Sequence, residues 1–113
     1  MIEQKFTDGS PKVISVYKND KIIKQTEYYE NKQLKIAGEF DDAGKRQGHW
    51  QYWHEDGKIW SECDYNHGVI HGNNTVYYEN GNKRFSGEYE EGKKIGIWLF
   101  WNEDGTINTE REF

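Results

Sequence analysis

Apolar residues recur along this chain at a fixed long interval, with polar residues and glycines filling the steps between. Tyr29, Trp53, Tyr77 and Trp101 stand 24 residues apart, and Tyr28, Tyr52, Val76 and Phe100 form a second row at the same step. Tyr65, Tyr89 and Phe113 continue the spacing, as do three glycine series: Gly44, Gly68, Gly92; Gly48, Gly72, Gly96; and Gly57, Gly81, Gly105. Extending the last series backward reaches Gln33 and then Gly9, so the first copies are degenerate. A continuous helix does not tolerate three glycines per period, and each copy therefore reads as a β-hairpin. Asp56-Gly57, Asn80-Gly81 and Asp104-Gly105 fit two-residue type I′ turns, which need positive φ at both positions. The glycine pairs 44/48, 68/72 and 92/96 bound the connection to the next hairpin.

The spacing predicts strands near 12–18, 21–30, 33–40, 48–54, 58–66, 72–79, 82–90, 95–102 and 106–113. The expected fold is all-β: an antiparallel meander of stacked β-hairpins, elongated, twisted and a single domain. Residues 1–27 read as a degenerate N-terminal repeat or cap, and residues 28–113 as the repeat array. Phe40 stands one place before its aromatic row, which marks a bulge or slip.

Strand alternation assigns two faces. A two-residue turn at Asp56-Gly57 pairs Tyr52 with Ser61, Trp53 with Trp60 and Trp50 with Cys63. One face then carries Trp50, Tyr52, Ile59, Cys63, Tyr65, Val76, Tyr78, Phe85, Tyr89, Trp98, Phe100, Ile107 and Phe113, with Lys83 and Arg111 as its charges. That is the expected core. The other carries Trp53, Trp60, Tyr77 and Trp101, with Tyr29 earlier in the row, beside Glu62, Asp64, Glu88, Glu110 and Glu112. Asp64, Glu88 and Glu112 share one row, so the repeat sets like charges on successive hairpins. Such a row weakens the sheet slightly by itself and favours a cationic partner, and aromatic anchors among charges are typical of interface centres. These nine residues are the candidate partner-binding face.

Composition sharpens this picture. Hydrophobic residues are 34% of 113, yet they include five Trp, eight Tyr and five Phe, while Leu and Ala occur twice each. Aromatic content without good helix formers excludes a helical bundle. The net charge of −5 argues against nucleic acid, which needs Lys and Arg in excess, and against anionic lipid. It suits a basic protein partner. A single cysteine, Cys63, permits no internal disulfide. Residues 1–10 lack the apolar segment of a signal peptide, and no apolar run approaches a membrane span, so the expected location is the cytoplasm.

The stretch Gly48-His49-Trp50-Gln51-Tyr52-Trp53-His54-Glu55-Asp56-Gly57-Lys58, followed by Tyr65 and Gly68, resembles the bacterial variant of the MORN repeat. Tyr77-Tyr78-Glu79-Asn80-Gly81 and Gly92-Lys93-Lys94-Ile95-Gly96-Ile97-Trp98 are similar further copies. Proteins built from this variant are commonly described as YwqK-like antitoxins, and the resemblance implies a neutralising protein partner. MORN repeats elsewhere are linked to phospholipid association and scaffolding, which the resemblance also implies as a second reading.

No catalytic constellation stands out. Cys63, His67 and His71 have a C-x3-H-x3-H spacing of the kind zinc sites use. The repeat accounts for both histidines as turn residues before Gly68 and Gly72, and no fourth ligand is evident. His49 and His54 occupy repeat positions held elsewhere by Asn73, Ile97, Tyr78 and Asn102. No nucleophile elbow, phosphate loop or H-E-x-x-H is present. The expectation is therefore a non-enzymatic binding module with no cofactor and no metal, antitoxin- or immunity-like toward a basic protein such as a toxin. The alternative is a structural or membrane-associated scaffold that self-associates through its sheet edges.

Overall fold

The computed structural model describes residues 1–113 and holds ten strands: β1 (Ile2–Lys5), β2 (Pro11–Lys18), β3 (Lys21–Tyr28), β4 (Leu34–Phe40), β5 (Arg46–Trp53), β6 (Ile59–Asn66), β7 (Val69–Tyr77), β8 (Lys83–Glu90), β9 (Lys93–Trp101) and β10 (Ile107–Glu112). They pair in sequence order and antiparallel throughout, as one open sheet with β1 and β10 at its edges. β1 has no counterpart in the spacing pattern. The sheet measures 45 × 32 × 11 Å, and only 6 of 113 residues are buried, so it is one layer with no second layer packed on it.

Two kinds of turn alternate, and they differ from the sequence expectation. At Asp56-Gly57 only the glycine has positive φ, at +90°. Gly57 N–H donates to the His54 carbonyl (3.0 Å) and His54 N–H to the Lys58 carbonyl (2.8 Å), which closes a three-residue loop ending in a left-handed residue. The same bonds recur at Tyr78–Asn82 and Asn102–Thr106. Asp56 serves as an acceptor: its carboxylate takes the Lys58 N–H at 2.9 Å, as Asp104 takes that of Thr106. The two-residue I′ turns lie at the other ends of the strands, at Asn19-Asp20, His67-Gly68 and Glu91-Gly92, where both residues have positive φ.

Gly48, Gly72 and Gly96 are not connection residues. They sit inside β5, β7 and β9 with φ of +75°, +105° and +68°, where each strand bulges past its partner. Each bulge raises local twist and re-aims the following side chain, which here is the position of Trp50, Asn74 and Trp98.

The Phe40 slip is an insertion. Phe40 and its partner Arg46 are separated by five residues, whereas the equivalent partners Tyr65 and Ile70 are separated by four. Everything upstream is displaced by one place. Tyr28, not Tyr29, therefore ends its strand as Trp53, Tyr77 and Trp101 end theirs, and Lys32, not Gln33, takes the position of Gly57. Lys32 holds φ of +73° there. A left-handed conformation costs a side-chain-bearing residue about 1–2 kcal/mol, part of which glycine gives back through its freer unfolded state. Lys32→Gly is thus expected to raise stability by roughly 0.5–1 kcal/mol in urea unfolding. An unchanged or lower midpoint would count against this turn geometry.

The core consists of two aromatic clusters on one face. Trp50 (2% exposed) lies on Gly38 of β4, edge-on between Phe40 (5.2 Å, 79°) and Tyr65 (6.4 Å, 80°). Trp98 (0% exposed) lies on Gly87 of β8, edge-on between Tyr89 (5.1 Å, 88°) and Phe113 (6.0 Å, 76°). Between the clusters, Asn74 and Cys63 take the places of tryptophan and glycine.

Candidate functional site

The opposite face holds the acidic and aromatic residues, and its geometry follows from the register. His49 pairs with Asp64, Asn73 with Glu88 and Ile97 with Glu112, so Asp64, Glu88 and Glu112 form one row on every second strand. Two strand steps set successive acids roughly 10 Å apart. Gln51, Glu62, Thr75, Ser86, Leu99 and Glu110 form the adjacent row. Trp53, Tyr77 and Trp101 close this face at the strand ends, half-buried, opposite Ile59, Lys83 and Ile107.

Trp60, Ile59, Ile107 and Lys83 do not lie where strand counting puts them. Each three-residue loop is followed by a one-residue register shift, so Trp53 faces Ile59 instead of Trp60. Trp60 stacks on His54 (5.6 Å, 28°) and lines a recess with Tyr52, Ser61 and Val76, on the Trp50 side of the sheet. Ile59, Ile107 and Lys83 move the other way; Lys83 Nζ stands 5.7 Å over the Trp101 ring. Tyr29 is likewise out of the row and donates its hydroxyl to the Trp53 carbonyl at 2.7 Å.

A groove of about 560 Å³ runs across the acidic face, lined by residues that include His49, Glu62, Asp64, Glu88, Ile97 and Leu99. Glu62 accepts from Gln51 Nε2 (3.0 Å) and from the Tyr77 hydroxyl (3.1 Å). Burial, then the nearby Glu62 carboxylate, push the Tyr77 phenol upward. Asp64 accepts the Asn73 N–H at 3.2 Å and lies 2.7 Å from His49 Nδ1. Glu88, Glu110 and Glu112 are exposed. His49, weighed from the sequence only as a catalytic residue, is not among the nine candidate face residues, although the hairpin register that pairs Trp50 with Cys63 also places it against Asp64.

The hydrogen bond that His49 donates to the Asp64 carboxylate holds the imidazole pKa above its ordinary value of 6.5, with Glu62 3.6 Å away adding in the same direction. A raised folded pKa means the pair contributes fully below the unfolded pKa of about 6.5 and is lost as pH climbs through the folded value. His49→Gln is accordingly expected to lose less stability than the wild type between about pH 6.5 and 8. Parallel losses in urea titrations across that window would show the pair to be inert.

Cys63, His67 and His71 are not brought together. Cys63 is buried on the Trp50 face, where desolvation raises its thiol pKa. His67 Nδ1 lies 2.8 Å from Asp41, and His71 Nδ1 accepts the Glu91 N–H at 3.0 Å. No helix of the protein is long and apolar enough to cross a membrane.

Three consecutive stretches, residues 21–42, 46–67 and 70–93, match the sequence model described as the MORN repeat variant. Each spans an odd-numbered strand, its three-residue loop and the next strand. No curated protein sequence matches the chain. Among solved structures, the chain is similar to one chain of a GtfA/B complex bound to UDP and GlcNAc, at 15% identity and a TM-score of 0.49. That alignment covers 89% of this chain and 22% of the solved one.

Proposed function

The chain belongs to the MORN repeat variant family, whose repeats generally serve as protein- or membrane-binding modules, and from that premise we propose that it is a non-enzymatic module that neutralises a basic protein partner, as an antitoxin or immunity protein does. The observation that carries this reading is the row of Asp64, Glu88 and Glu112, beside Glu62 and Glu110, none of them within 4.0 Å of a lysine or arginine. Carboxylates in register, Asp64 and Glu62 paired with His49 alone and Glu88, Glu110 and Glu112 with no ion-pair partner, steer a cationic surface into place and fix its orientation. Tyr77 in the groove, with Trp53 and Trp101 at the strand ends of the same face, supplies rigid apolar anchors beside them.

The test compares the wild type with Asp64→Ala/Glu88→Ala/Glu112→Ala in binding and growth-rescue assays against the product of the neighbouring gene. Loss of rescue and at least a tenfold drop in affinity, about 1.4 kcal/mol, is the expected result. Equal affinity would remove this face from the interaction. Sedimentation with anionic vesicles, in place of capture by a basic protein, would instead favour the membrane-associated scaffold.

A further inference from the structure

Positive charge gathers on the opposite side of the sheet, the side of Trp50 and Trp98. Lys12, Lys35, Arg46, Arg84, Lys94 and Arg111 each stand over an aromatic ring there. Arg46 lies 4.3 Å from the Trp50 centroid, Lys94 5.1 Å from Trp98 and Arg84 5.7 Å from Tyr78. Lys12 covers Phe6, Lys35 covers Tyr29 and Arg111 covers Phe113. No lysine or arginine in the chain pairs with a carboxylate within 4.0 Å; every close ion pair is made by His49 or His67. Among strand residues Glu27 is the acid on this cationic face, while Lys5, Lys18, Lys21, Lys24, Lys83 and Lys93 lie among the more numerous acids of the other. The net charge of −5 thus conceals a plate with faces of opposite sign.

The two faces also share a pitch, because one repeat sets both. Lys12, Lys35 and Arg84 stand on β2, β4 and β8, and Arg46 and Lys94 on β5 and β9. Asp64, Glu88 and Glu112 stand on β6, β8 and β10. The acids are placed in steps of two strands, roughly 10 Å, and the cations in steps of two or four strands, so their spacings are multiples of one unit. Cations at multiples of that unit can each meet an acid of the two-strand row when two sheets lie aligned, as packed sheets do at roughly 10 Å separation. The outline of 45 by 32 Å offers more than the roughly 800 Å² per partner that a stable interface buries. Stacking would also cover exposed Trp60 and half-buried Trp53, Tyr77 and Trp101.

We propose that copies of this chain associate sheet on sheet, the cationic aromatic face of one against the acidic face of the next. Each contact uses two different surfaces, so it is head-to-tail and does not close on itself; assemblies lengthen with concentration. A basic protein bound to the acidic face competes with this stacking, but the stacking does not rest on that partner.

Sedimentation velocity on the full chain tests it. At low salt the wild type is expected to show species heavier than the monomer that grow with concentration, and to return to monomer at high salt, where exposed charges are screened. Arg84→Glu/Lys94→Glu sets acids among the cations of one face, and Glu88→Lys/Glu112→Lys sets cations among the acids of the other; all four residues are exposed. Each variant alone is expected to stay monomeric, and their equimolar mixture to recover the wild-type mass distribution. Circular dichroism checks that each retains the sheet. Lys35→Glu/Arg84→Glu repeats the acidic reversal away from the Trp98 ring. A monomeric wild type, association that survives either reversal (the mark of edge pairing), or a mixture that stays monomeric would overturn the proposal.

Discussion

Gly87→Ala is expected to cost this protein about 3 kcal/mol or more, enough to abolish a cooperative transition in a marginal array. A methyl at that position would sit 2.0 Å from Trp98 Cδ2 and 2.1 Å from Cε2, far inside contact distance. The backbone is not at fault, since Gly87 has an ordinary strand φ; the cost is volume alone. Nor can the indole slide away. Its Nε1 donates to the Ile95 carbonyl at 3.2 Å, Tyr89 and Phe113 flank it edge-on, and Lys94 covers its outer side. Gly38→Ala meets Trp50 in the same way, at 2.1 Å. By contrast, Gly81→Ala meets nothing within 4 Å and bears only the strain of φ at +92°, about 1–2 kcal/mol. Urea unfolding read by tryptophan emission separates the two classes. In a Trp98→Ala background the Gly87→Ala penalty should largely vanish, the non-additivity that contact demands. A wild-type midpoint for Gly87→Ala would mean that Trp98 does not rest on that strand.

The repeat made the meander legible because its glycines and aromatics recur in register, and the pairing of Trp50 with Cys63 follows from counting across Asp56-Gly57. The face of Trp60 does not follow. Asp-Gly suits both a two-residue I′ turn and a three-residue loop with one left-handed glycine, and the two differ by one residue of register. What separates them is whether Asp56 adopts positive φ or accepts the Lys58 N–H, which only coordinates reveal. A strict 24-residue step also misplaces Tyr29, because the extra residue of the 41–45 loop displaces everything before it. For the same reason Gly38, Cys63 and Gly87 escape notice as one series: the insertion makes the first interval 25 and the second 24. Separation of charge between faces was hidden more deeply. Net charge is a sum, and a sum of −5 is the same for a uniformly acidic protein and for a plate with opposed faces.

The middle repeat departs from its neighbours in a way that predicts a gain. Trp50 and Trp98 each rest on a glycine of the preceding strand and each stand edge-on between two aromatic rings. At the equivalent place Asn74 faces Cys63, while Tyr65 and Tyr89 already stand on either side of the vacant position, each with only one indole neighbour. Asn74→Trp combined with Cys63→Gly would set a third indole between them and join the two clusters. Edge-to-face pairs contribute about 0.5–1.5 kcal/mol each beyond burial, and two new pairs plus the buried ring exceed the cost of placing a glycine in β6. The double variant is expected to unfold about 2 kcal/mol later than the wild type. The single changes should move the other way. Asn74→Trp alone drives the indole into the Cys63 side chain, and Cys63→Gly alone leaves a void beside Trp50. Urea midpoints for the four members of this cycle decide the matter. A double variant no more stable than the wild type, or two singles whose effects simply add, would show that the tryptophan-on-glycine arrangement does not hold the array together.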